Sequence, residues 1–374
     1  MRCAAALSTH PIPAYATGDV IAELLALDRP PADLVVAFAT SAFGGTSEDI
    51  AETIRVLLHP NSFVFIVSDG IIGAGSEVAA GSGIALWSVW LEDSLANESV
   101  QVFYVDDGEL ADDSEFTQAM HAATDVILFG NPDEPRVTKW IDQICDLRHG
   151  RSVSGALLAA SQGSLLLDCA ADSSPSLLAL AFTGLGATVT LAHGTTALSV
   201  PMVVTNAVGS MLCEIDDQGA LQIAKDILSS IETDRRAITA QDLAVALLEP
   251  DTARVVDVYR VLGADRTSDS LALSHPVHAG DRIAFHRQDR FGPLADLEHS
   301  LQGSRSNGAL VFSCGPLNPD SDLVGTGEVG MLGEALGTSA YAGIHAASVI
   351  GPSAGQSGLC SAPFSAVIFG RSHH

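Results

Sequence analysis

The 374-residue chain has almost no lysine: Lys139 and Lys225 are the only two, and arginine supplies the rest of the positive charge. Lys and Arg together number 18 against 45 Asp and Glu, a net charge of −27. Such an excess repels phosphate backbones and anionic lipid, so nucleic acid is excluded as an expected partner. Aromatic residues are only 5% of the chain, which leaves the core to Ala, Val, Leu and Ile. The six cysteines, Cys3, Cys145, Cys169, Cys213, Cys314 and Cys360, are scattered, with no Cys-x-x-Cys pair. That spacing excludes a disulfide framework or zinc site and predicts reduced thiols in a cytoplasmic protein, with no bound metal or cofactor. Long apolar runs are also absent. Leu177 to Leu191 carries no charge, but Thr183, Gly184, Gly186, Thr188 and Thr190 interrupt it. It is shorter than the roughly 20 residues of a spanning helix and reads as a buried hairpin, so no membrane insertion is expected. Met1 to Leu7 is too short an apolar region to read as a signal peptide.

What is present is core material: 47% hydrophobic residues against 17% charged. Length and composition predict two domains of α/β (α+β) class, layered mixed sheets with helices outside, as two similar halves packed together. Leu34 to Phe38 and Phe63 to Val67 are apolar runs of strand length, and Ile50, Ile54, Leu57 and Leu58 line a helix between them after a Thr46-x-x-Asp49 capping signal. Further strands are expected over Ile84–Leu91, Val100–Val105 and Val126–Phe129, and helices over Glu115–Ala123 and Val137–Leu147 with Gly150 past the end. After Gly150 successive strands suggest an antiparallel section, and the polar stretch Ser229–Asp234 sets the boundary between domains 1–228 and 229–374. The second domain is expected to hold a helix near Asp242–Leu248, strands over Val255–Leu262, Leu271–Leu273 and Arg282–His286, and a helix over Leu294–Leu301.

Near the C-terminus Leu310, Val311, Phe312 and Ser313 run into Cys314, Gly315 and Pro316, which places a thiol at a strand end. Tyr341–Ile344, Ile350-Gly351-Pro352 and Phe364–Gly370 follow. Together with Ser68-Asp69-Gly70 to Gly75, Pro201–Thr205, Cys213–Asp216, Val258–Gly263 and Gly280-Asp281-Arg282, in this order and spacing, these segments resemble a FIST domain protein with N-terminal and C-terminal FIST domains. The resemblance implies a bacterial sensory module of signal transduction that binds a small molecule, such as an amino acid or small carboxylate, and passes the signal by protein contact. Two elements depart from the family pattern. Cys314 is followed by Gly315-Pro-Leu-Asn318 in place of a Gly-Arg-Gly element, and Ser348-Val-Ile-Gly-Pro352 lacks the family's Glu.

The expected polar ligand contacts are Arg282, His286, Cys314 and His345, with Gly70, Gly73 and Gly351 giving backbone access. Cys314 also admits a second function, a thiol-dependent hydrolase or transferase, which requires a His within hydrogen-bond reach of its sulfur. A ligand-free interaction scaffold is the third. Gly70, Gly73, Gly75, Gly81 and Gly83 do not fit a dinucleotide fingerprint, because Val78 stands where the third glycine belongs, and they read as a hairpin or strand connection. His275 and His278 flank Pro276 and would point to opposite faces of an extended segment, which argues against metal ligation. The acidic run Asp106, Asp107, Glu109, Asp112, Asp113 and Glu115 lacks an EF-hand register.

Overall fold

The computed structural model describes residues 1–91, 99–105, 114–148, 151–159, 166–167, 175–231, 242–250, 255–288, 297, 301, 306–315, 327–353, 356–360 and 362–370. By contact the chain divides into two compact units, residues 1–191 with 297–374, and residues 192–296.

The first unit holds two sheets. One has β1 (Arg2–Ser8), β6 (Ile84–Trp90), β2 (Leu34–Thr40), β3 (Ser62–Ser68) and β10 (Leu166–Leu167) side by side in that order. The other runs β12 (Ala187–Ala192), β24 (Phe364–Phe369), β21 (Gly308–Ser313), β22 (Tyr341–Ser353), β9 (Val153–Leu158), β8 (Asp125–Gly130), β11 (Leu177–Thr183) and β7 (Ser99–Val105). To β22 are added β4 (Ile71–Gly73), which pairs with β5 (Ser76–Val78), and β23 (Gln356–Cys360).

The apolar pattern of the strands explains the layering. Leu34, Val36 and Phe38 of β2 pack with Ile127 and Phe129 of β8 and Leu310 and Phe312 of β21 between the two sheets. The alternate residues Val35, Ala37 and Ala39 face outward against helix α1 (Pro13–Leu25) and helix α2 (Ser47–Leu58). On the other sheet Val126, Leu128 and Val153 pack against helix α3 (Glu115–Ala122) and helix α4 (Val137–Arg148). The result is a helix, sheet, sheet, helix stack in which β2, β8 and β9 are buried on both faces, which is why they read as continuous apolar runs. Phe129 holds the middle, with ring centroids 6.3 Å from Phe38 and 5.6 Å from Phe312. Burial of each such ring contributes about 1.5–3 kcal/mol, and each ring pair adds about 0.5–1.5 kcal/mol.

The second unit consists of β13 (Thr195–Ala197), β14 (Met202–Val208), β15 (Met211–Ile215), β16 (Gln218–Gly219), helix α5 (Ala220–Ile231), β17 (Leu243–Leu248), β18 (Val255–Asp265), β19 (Ser270–Leu273) and β20 (Arg282–Gln288). Strands β20, β14, β15, β19, β18 and β17 pair in sequence, and β17 pairs back onto β20, so the sheet closes into a barrel. Val204, Leu212, Val245, Leu271, Ile283 and Phe285 share one core with Leu221 and Ala224 of α5. Helix α6 (Gly327–Leu336) belongs to the first unit, with Leu332 and Leu336 buried. No helix among the described residues is long and apolar enough to cross a membrane.

Layered mixed sheets with helices outside are present as expected, while the two units differ in build. The first unit is discontinuous in sequence, because β22 hydrogen-bonds to β4 and β9 and so joins the last part of the chain to the first. Three local expectations are corrected. The segment Leu243–Leu248 is a strand, held between β18 and β20 where pairing overrides its Ala- and Leu-rich helix propensity. The segment Leu177–Leu191 does form two strands, but β11 pairs with β8 and β7 while β12 lies beside β24, so they are no hairpin. Thr46 precedes α2 without a side-chain cap, because its hydroxyl donates back to the Phe43 carbonyl at 3.1 Å inside a 3-10 turn over Ser41–Thr46. The acidic run Asp106–Asp113, Gly150, Cys169 and most of the expected helix over Leu294–Leu301 lie outside the described residues.

Gly155 sits in mid-strand at φ +138, and a Cβ there would overlap the Leu128 carbonyl oxygen of the neighbouring β8. Gly75, at φ +84 in the β4–β5 turn, has open space around it. Gly155→Ala is therefore expected to cost more than about 3 kcal/mol in denaturant unfolding, against about 1–2 kcal/mol for Gly75→Ala.

Candidate functional site

Three strand ends of the first unit meet at one place. Strand β3 finishes at Ser68, β9 passes into Ala159, and β21 finishes at Ser313, while β22 runs past all of them. The Ser68 hydroxyl is shared between the His345 carbonyl at 2.7 Å and the Ala159 carbonyl at 3.0 Å, and the Asp69 N–H donates to the Ala159 carbonyl at 2.7 Å. A single serine thus ties the ends of β3 and β9 to the middle of β22.

The β4–β5 hairpin supplies the next group. Ala74 and Gly75 both have positive φ, 44 and 84, as a tight two-residue hairpin turn requires. The register sets Ile72 opposite Glu77 on one side and opposite Gly343 on the other, which turns Glu77 toward the face of β22 that carries His345. The His345 N–H donates to the Gly70 carbonyl at 2.8 Å, extending the β4–β22 ladder by one bond. Glu77 Oε1 then lies 2.8 Å from His345 Nε2, with Glu77 2% and His345 6% exposed. Gly70 is required here, since a Cβ on it would collide with His345 Nδ1.

Ser313 stands beside His345 in parallel register, and its hydroxyl donates to the Gly315 carbonyl at 2.7 Å. Cys314 is one step beyond that pair, at the surface. Its backbone N–H donates to the Pro363 carbonyl at 2.7 Å and its sulfur lies 3.9 Å from the Ala362 carbonyl oxygen. Desolvation of the sulfur pushes the thiol up to about 11, only partly offset by a hydrogen bond with the Val349 backbone.

The expected contacts therefore fall into groups. Gly70 and His345 come together, and Gly73 sits on the same hairpin, opposite Ala342, while Cys314, one residue past the Ser313–His345 pair, has its sulfur at the Ala362 carbonyl and the Val349 backbone. Gly351 is a packing position farther along β22, where a Cβ would stand 2.8 Å from Leu191 Cδ2. Arg282 and His286 belong to the second unit. Arg282 donates to the Pro250 carbonyl, and His286 Nδ1 lies 2.9 Å from Thr195 Oγ1. Burial, and next to it the neighbouring His193, push His286 down to about 4. Sequence reasoning did not single out Ser68, Glu77 or Ser313. Glu77 and His345 are 268 residues apart, and only the strand register relates them.

His275 stacks on Tyr259 with ring centroids 5.2 Å apart, while the His278 N–H donates to Asp281 at 2.8 Å, so each has its own structural contact. Among the described residues no group of three or more His, Cys, Asp and Glu is placed to hold a metal ion.

With this arrangement in view, the chain can be compared with known proteins. Residues 33–218 match the FIST N domain. FIST domains are associated with sensory and signal-transduction proteins. The matched span contains Ser68, Gly70 and Glu77, whereas His345 and Cys314 lie beyond it. An uncharacterized protein of Mycobacterium bovis is 23% identical across 87% of this chain and 87% of its own length. An uncharacterized protein of Mycobacterium tuberculosis is 21% identical across 96% of this chain and 97% of its own length.

Two outcomes follow from the shifted groups. For His286 the folded value, about 4, lies below the unfolded value of about 6.5. The unfolded chain therefore takes up the proton first as pH falls, and stability is lost progressively between about pH 6.5 and 4. Chemical denaturation across that window is expected to show stability rising with pH, with a shallower slope for His286→Gln. For Cys314, a thiol near 11 leaves roughly one molecule in ten thousand as thiolate at pH 7. Alkylation by iodoacetamide, mapped by mass spectrometry, is expected to be slow at pH 7 and to rise about tenfold per pH unit toward pH 10.

Proposed function

We propose that this chain is a FIST protein in both its parts, N-like over 1–228 and C-like over 229–374, and works as a cytoplasmic small-molecule sensor that signals through a protein partner. The observation that carries this reading is the buried Glu77–His345 pair where the ends of β3, β9 and β21 meet. Strand-end convergence of this kind is where α/β folds commonly hold small ligands, and a polar pair this well buried carries a desolvation cost that a functional role would justify. The FIST N match over residues 33–218 supports the same reading from the sequence side. Of the two ligand classes implied by the family, amino acids fit this site better than simple carboxylates, because a carboxylate group already occupies its interior.

The thiol-dependent hydrolase or transferase has less support. Its nucleophile would have to be a thiolate, and Cys314 is shifted away from that state. A ligand-free scaffold remains the opposing outcome of the test.

The test is a thermal-shift screen of the full chain against amino acids and small carboxylates. A ligand present at a hundred times its Kd adds about 2.7 kcal/mol to apparent stability, so a true ligand is expected to raise the Tm of the wild type. The same ligand is expected to leave His345→Ala unmoved. A flat panel favours the scaffold.

A further inference from the structure

The Glu77–His345 pair has one ring nitrogen accounted for and one to spare. Nε2 faces the Glu77 carboxylate at 2.8 Å, which makes it the nitrogen that carries the hydrogen. In the neutral imidazole the other nitrogen is then a lone-pair acceptor. Nδ1 meets no hydrogen-bond partner among the described residues, although His345 is only 6% exposed. Nδ1 is not one of the fully buried unpaired side-chain atoms, so this acceptor stays accessible while the rest of the residue is covered. The ring is fixed from two directions, by the carboxylate at Nε2 and by Gly70, which packs over the ring face beside Nδ1, so the acceptor is held in place before any ligand arrives.

The charge around this acceptor selects what it takes. Glu77 puts a carboxylate directly behind the ring, and the chain as a whole carries −27. Both favour a cation and disfavour an anion at the same spot. A protonated amine satisfies each condition, since it brings N–H donors for the lone pair and a positive charge for the field.

We infer that His345 Nδ1 is the docking acceptor for a protonated amine, with Glu77 as the positioning residue that fixes the ring's tautomer and supplies the negative charge. This deepens the small-molecule reading above and rests on it. The amine can stand alone or be the ammonium group of a larger zwitterion, and the shared chemistry is the N–H donor on a cation.

The experiment uses the full chain, titrated by calorimetry with methylammonium and butylammonium and, in separate arms, with acetate and butyrate. Nitrogen NMR of the chain, with the His345 signal assigned through His345→Gln, follows Nδ1 in each arm. The ammonium probes are expected to bind and to move the Nδ1 signal, while the carboxylates do neither. Glu77→Gln, which keeps the size of the side chain and removes its charge, is expected to weaken ammonium binding at least about tenfold. Gly70→Ala, which crowds the ring, is expected to weaken it as well, with melting curves confirming that both variants fold. Ammonium binding that leaves Nδ1 unmoved, or carboxylate binding that moves it, overturns the inference. If the thermal panel yields a ligand while the ammonium probes give neither heat nor shift, the amine assignment falls and the sensory reading stands. If the panel is flat as well, both fall together.

Discussion

The first unit depends on one strand. β22 runs for 13 residues, Tyr341 to Ser353, and its partners come from distant parts of the chain: β21 in parallel, then β4, β9 and β23 antiparallel. Without it the hairpin β4–β5 loses its ladder to the larger sheet, and β21 and β9 have no strand between them. Close approach makes this possible. Gly343 lies so near the Val311 carbonyl that no Cβ fits, so β21 and β22 pair without a side chain separating them at that point. The bulge between Ala346 and Ser348 then changes the register just past His345, where pairing with β4 gives way to pairing with β9.

The site follows from this arrangement, with no separate construction needed. Because β4 and β9 both pair with β22, the ends of β3 and β9 are brought to the same stretch of backbone, and Ser68 closes the gap between them with one shared hydroxyl. The hairpin turn at Ala74 and Gly75 sets which face Glu77 occupies. A slip of one residue would send that carboxylate into the apolar layer between the sheets, where Ile71 and Val78 now sit. The buried polar pair and the core therefore constrain each other, since the apolar neighbours hold the register that brings Glu77 to His345.

Much of this architecture was legible in the chain, for an identifiable reason. Strands covered on both faces, such as Leu34–Thr40 and Asp125–Gly130, announce themselves as unbroken apolar runs, and amphipathic helices such as Val137–Arg148 show their single buried stripe. The position of Cys314 past a strand end was likewise within reach, whereas the closeness of Gly70 and His345 comes from the pairing of β4 with β22, which the sequence does not display. Leu243–Leu248 misled because alanine and leucine favour a helix locally, while two neighbouring strands decide the matter. Glu77 was invisible because nothing in Ser76-Glu77-Val78 distinguishes a buried carboxylate from a solvated one. The division into units was hidden as well, since nothing around Leu191 or Leu297 marks where the chain leaves one sheet system and returns to it.

That departure and return affects how the protein is made. A ribosome completes residues 1–191 and all of 192–296 before it reaches β21, β22 and β24, so the larger sheet waits with unpaired edges on β9 and β4 while the barrel segment emerges. The barrel can close at once from its own consecutive strands, whereas the first unit reaches its native pairing only when the tail arrives. During that interval the exposed edges are open to pairing with another nascent chain. Biosynthesis of this protein is thus most vulnerable in the time between the emergence of Val153 and that of Ser353.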